Sequence, residues 1–177
     1  MDVEISAIDF EPAGVKNLLQ EARRTHVNGG VLFRMFTVSS NATLDWLISH
    51  NQVDKATDRL KIFEHDAVFE AFPDLHKSPR KLQDPEWEGV SDLVFSGELA
   101  GALRWGGAYH STSTMEARQL AEDFRICLFE DRFEDMVIFR SRTPWNKWFW
   151  NVAWDDTWFI LDQHHKRFSL LLMTDTD

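Results

Sequence analysis

A single cysteine, Cys127, rules out an internal disulfide, so this chain of 177 residues must hold its fold by packing. Basic residues are outnumbered, 19 Lys and Arg against 29 Asp and Glu, for a formal net charge of −10. Nucleic-acid binders displace counterions with a basic stripe, and anionic membrane surfaces attract basic clusters, so both partner classes are disfavoured. No apolar run approaches the roughly 20 residues that span a bilayer. The polar, acidic opening of the sequence carries no apolar core of a signal peptide. The expected location is therefore the cytoplasm. Tyrosine occurs once, glycine eight times and proline five. Internal repeats and low-complexity tracts are missing.

Signature motifs are missing too. Gly97, Gly101, Gly106 and Gly107 fit neither the P-loop nor the dinucleotide fingerprint. The Ser-Thr-Ser-Thr stretch 111–114 beside His110 lacks a nucleophile elbow and reads as helix capping. No C-x-x-C, H-E-x-x-H or EF-hand pattern occurs. Cys127 falls on an apolar helical stripe, where a thiol packs as a small hydrophobe. No cofactor is implied and no catalytic residue is assigned.

What is present is aromatic bulk, eight Trp and fourteen Phe, within a 44% hydrophobic composition. Much of it lies near the end of the chain. Trp148, Trp150, Val152 and Trp154 alternate with Phe149, Asn151 and Ala153 at the period of a strand. Trp158 and Ile160 alternate with Phe159 and Leu161, and Phe168, Leu170 and Leu172 with Leu171 and Met173. Strands apolar on both faces belong in the middle of a fold. The pattern predicts an antiparallel meander over roughly 136–141, 147–154, 157–162 and 167–173.

Helical signals fill the earlier chain. A short strand around Val3 and Ile5 precedes a helix opened by Pro12 and closed at Asn28-Gly29-Gly30. Val31 to Val38 is an apolar run that fits a strand or a buried helix. Ser39-Ser40-Asn41 caps a helix carrying Leu44, Leu47 and Ile48, and 53–72 reads as one longer helix with His65-Asp66 inside it. Three prolines mark a long loop at about 73–88. Leu93 to Phe95 suits a strand and Glu98 to Trp105 a short helix. Ser113 and Glu116 form a capping box ahead of a stripe of Ala117, Leu120, Ala121, Phe124, Cys127 and Leu128. The expectation is one α+β domain, with helices of the N-terminal two thirds packed on a C-terminal antiparallel meander.

Two clusters invite a functional reading. Asp162, His164 and His165 surround the last hairpin and have the chemistry of a metal-assisted hydrolase, although turn formation explains them as well. Asp155, Asp156, Asp175 and Asp177 share the opposite end of the meander, close to Trp145, Trp154 and Trp158. Carboxylates beside large rings suit capture of a basic protein. The leading expectation is thus a small acidic protein-binding protein, such as an inhibitor or an immunity protein that neutralises a basic toxin or nuclease. Its partner-binding residues would be Trp145, Trp154, Asp155, Asp156, Trp158, Asp175 and Asp177. The alternatives are the metal-assisted hydrolase and a Trp-lined ligand-binding module.

Overall fold

Strands β5 (Asp156–Asp162) and β6 (Arg167–Thr174) have almost no exposed position, so the fold must cover both sides of them. A computed structural model describes residues 4–39, 42–77 and 83–177 and shows how. Six strands form one antiparallel sheet in the order β1–β2–β6–β5–β4–β3. The others are β1 (Ile5–Ile8), β2 (Gly30–Val38), β3 (Glu88–Val90) and β4 (Met136–Ser141). Helices α1 (Ala13–Thr25), α5 (Phe95–Trp105) and α6 (Thr114–Phe129) cover one face. Helices α2 (Ala42–Ser49), α3 (Ala56–Arg59) and α4 (Asp66–Ala71) belong to the other. Among the described residues no helix is long and apolar enough to cross a membrane.

Strand periodicity distributes the core. Val31, Phe33 and Met35 of β2, Trp158 and Ile160 of β5, and Leu171 and Met173 of β6 face α1, α5 and α6. Phe36, Val38, Phe159, Leu161, Phe168, Leu170 and Leu172 face the other way. The α+β fold is as the sequence predicts, and Val31 to Val38 is a strand. The meander is not the whole sheet: β6 lies between β5 and β2, and β1, β2 and β3 come from the earlier chain.

The segment 147–154 is not a strand. Asn146 Oδ1 accepts from the Trp148 N–H, and Asp155 accepts from the N–H groups of Trp150 and Val152. Asn151 adopts a left-handed φ of 61°. Side-chain acceptors thus take the amides that a ladder would need, and the chain turns. The predicted long helix over 53–72 is also broken. Lys61 has a φ of 49°, and His65, predicted inside the helix, caps α4 by accepting from the Ala67 N–H. Leu93 lies in a turn and Phe95 opens α5, so 93–95 is no strand. Ser113 caps α6 as predicted: the Glu116 N–H donates to Ser113 Oγ. Val3, the cap residues Ser40 and Asn41, and 78–82 of the long loop lie outside the described residues.

Candidate functional site

A cleft of about 790 Å³ opens where β5 begins and β6 ends, on the face covered by α1, α5 and α6. Strand parity builds its wall. Arg140 follows Met136 and Ile138 on the inward face of β4, and its register partner on β5 is Trp158. The guanidinium lies 4.5 Å from the centre of the Trp158 indole ring. It donates through Nε and Nη2 to Asp156, at 2.7 and 2.5 Å, and through Nη1 to Glu98 of α5 at 3.4 Å. Burial pushes the Asp156 carboxyl up while the Arg140 fork pulls it back. The same contact raises Arg140 against its own desolvation.

His26, just past the end of α1, also lines the cleft and is only 4% exposed. Its Nδ1 lies 2.9 Å from the Ala22 carbonyl and 3.0 Å from Thr25 Oγ1. Burial lowers its pKa, against the Ala22 hydrogen bond and the fields of Asp175 and Asp156, so the ring is neutral at neutral pH. A neutral ring that donates from Nδ1 to Ala22 leaves Nε2 as an acceptor.

The chain around the cleft is tied down by the other two carboxylates. Asp155 accepts from Thr174 Oγ1 at 2.5 Å and from the 150–152 turn. Asp175 accepts from the Asn28 N–H and the Ala108 N–H, both at 2.8 Å, and so joins two loops to the end of β6. Gly107 permits that approach, because a β-carbon there would lie 2.0 Å from Asp175 Oδ2.

The structure brings Asp155, Asp156 and Asp175 to one end of the sheet, yet buries all three in internal bonds. Trp145 and Trp158 are equally unavailable to a partner. Trp158 is buried against Phe95, and Trp145 packs on Phe63 in the opposite core, its Nε1 donating to Thr157. Of the seven sequence-predicted contact residues, Trp154 is half-buried on the cleft and Asp177 is exposed. The chain shows other rings at this end. Trp105 of α5, on the cleft, is 77% exposed, Tyr109 beside the Asp175-bound loop 62%, and Trp150 in the Asp155-bound turn 57%. No family model matches the chain. No curated protein matches it. Among solved structures it is similar to citrus MAF1, at 13% identity and a TM-score of 0.35, over 98% of this chain and 88% of that one. So slight a likeness carries no functional argument.

Asp162 lies at the other end of the sheet. It accepts from Arg132 Nη1, Arg167 Nε and the His165 N–H, and lies 2.9 Å from His165 Nδ1. Burial alone would raise this carboxyl, but the His165 and Arg132 hydrogen bonds and the Arg167 charge hold it below the ordinary value. Two guanidiniums at about 3 Å occupy the place a divalent ion would take. No group of three metal-ligating side chains occurs among the described residues. Sequence reasoning missed Glu98, His26, Trp105 and Arg140. The readable signal was Arg140, a charge on the inward side of an otherwise apolar strand, which had to find a partner.

Proposed function

We propose that this chain works by binding another protein, a basic one, in the manner of an inhibitor or immunity partner. The observation that supports the reading is the exposed ring set Trp105, Tyr109 and Trp150 at the end of the sheet that carries the cleft. Large aromatic residues are the side chains that most often dominate binding energy; Trp105 closes helix α5, and Tyr109 and Trp150 stand on segments anchored by buried carboxylates. Rigid anchors lose little freedom on binding. The net charge of −10 then favours a basic partner and speeds encounter with it. Trp154 and Asp177 remain contact residues in this reading, whereas Asp155, Asp156 and Asp175 hold the rim in shape.

Capture from the native organism with the parent chain and a W105A/Y109A/W150A variant tests it. A protein of high pI retained by the parent and lost by the equally stable variant is the expected result. Partners that are only acidic or neutral, or that bind both chains alike, would sink it.

A further inference from the structure

We infer that the cleft receives an arginine side chain of the partner protein, seated with its guanidinium against His26 and Glu98 in the field of the buried carboxylates. This rests on the protein-binding reading above and gives the partner its chemistry. The cleft lining carries Glu88, Glu98, Asp155 and Asp156 against Arg140 and Arg142, an excess of two negative charges. Arg140 is committed to Asp156 and Glu98, and Asp155 accepts only from uncharged donors. The lining is therefore complementary to a cation.

His26 supplies an observation independent of charge. Its ring is almost wholly buried, its Nδ1 is satisfied by Ala22, and Nε2 has no hydrogen-bond partner among the described residues. Nε2 is open to the cleft and stands there as an acceptor for whatever enters. An incoming N–H group satisfies it, and a carboxylate or phosphate oxygen does not. The indoles of Trp105 and Trp154 line the same space. A planar guanidinium stacks on such rings and presents five N–H donors in a fixed fork, which an ammonium does not. The cleft volume lies in the range of sites that enclose a ligand or an anchor residue.

Three capped tripeptides separate charge from shape: Gly-Arg-Gly, Gly-citrulline-Gly and Gly-norleucine-Gly. Citrulline keeps three of the five N–H donors of arginine, carries a carbonyl oxygen in place of the other NH2, and loses the charge. Nitrogen-15 NMR of the full chain should show saturable shifts of the Trp105 and Trp154 indoles and the His26 ring nitrogens with the arginine peptide. Affinity for the citrulline peptide should be lower by at least about tenfold, one lost charge contact, and the norleucine peptide should not bind. His26→Phe and Glu98→Gln should each weaken the arginine peptide by about fivefold or more, the scale of one charge-assisted hydrogen bond. Glu98 lies on the solvent side of α5, so its variant keeps the test valid if His26→Phe fails to fold. Absence of saturable shifts, equal affinity for arginine and citrulline, or a folded Glu98→Gln chain that binds like the parent would overturn the inference. If the peptide does not bind while the triple rim variant still loses its basic partner, the arginine assignment falls and the protein-binding reading stands. If the peptide binds but the rim variant keeps every partner, the cleft is a site for a free guanidinium compound, and its assignment to a partner protein is overturned.

Discussion

Asp175 and Asp177, two residues apart, have opposite surroundings. Asp175 is fully buried and accepts two backbone N–H groups, while Asp177 is exposed. Asp175→Asn keeps one acceptor oxygen and sets an amide against the second N–H. Leaving a buried donor unpaired costs about 1–3 kcal/mol. Urea denaturation of the variant should show a lower midpoint at unchanged slope, and Asp177→Asn should match the parent. Neutralising Asp155, Asp156, Asp175 and Asp177 together should destabilise the fold, since the first three are buried in internal bonds. Titratable groups act at this scale too. The His26 pKa is depressed, so the unfolded chain binds that proton first, and stability is lost as pH falls below the ordinary histidine value of 6.5. The Asp162 pKa is also depressed, so its contribution holds above the ordinary aspartate value of 3.8 and is lost as pH falls through the folded value. Melting temperature against pH should show both losses. His26→Phe should flatten the upper one and Asp162→Asn the lower one.

At the scale of elements, β6 decides most. It pairs with β2 on one side and β5 on the other, and its side chains enter both cores. Leu170 faces Phe159 and Arg34 across the two ladders and is fully buried. Leu170→Asp places a carboxylate in the apolar core, where desolvation costs several kcal/mol, comparable with total stability, and pairing with Arg34 across the β2 ladder offsets only part of it. The purified variant should lack a cooperative thermal transition. A melting temperature equal to the parent's would mean β6 is peripheral after all. This strand was legible because both of its faces are apolar, and α6 was legible because its cap and stripe are local signals. The segment 147–154 was not, although its alternation is as regular. The acceptors that capture its amides, Asn146 and Asp155, bracket the rings, and periodicity does not register them. β3 is three residues long and, among the described residues, pairs with β4 alone, so nothing in its own sequence announces it.

For the whole molecule, what could not be read was mostly what joins distant positions. The cleft assembles His26, Glu98, Arg140 and Asp156 from four separate elements, and only the strand order brings them together. The grouping of Asp155, Asp156 and Asp175 was inferable, because neighbouring hairpins alternate ends. Their burial was not, because it depends on loops arriving from residues 28 and 108. The same strand order has a consequence for synthesis. β2 emerges early, but the partner along its inner edge, β6, is the last of the six strands to be made. At ordinary elongation rates that edge waits on the order of ten seconds. Throughout that interval the nascent chain carries an unmatched, largely apolar ribbon that any other extended segment can pair with. Production of this protein should therefore depend on holdase chaperones and on temperature more than its finished stability suggests. A ribosome stalled just before residue 167 should display a protease-sensitive chain, because the sheet closes only at its final stitch.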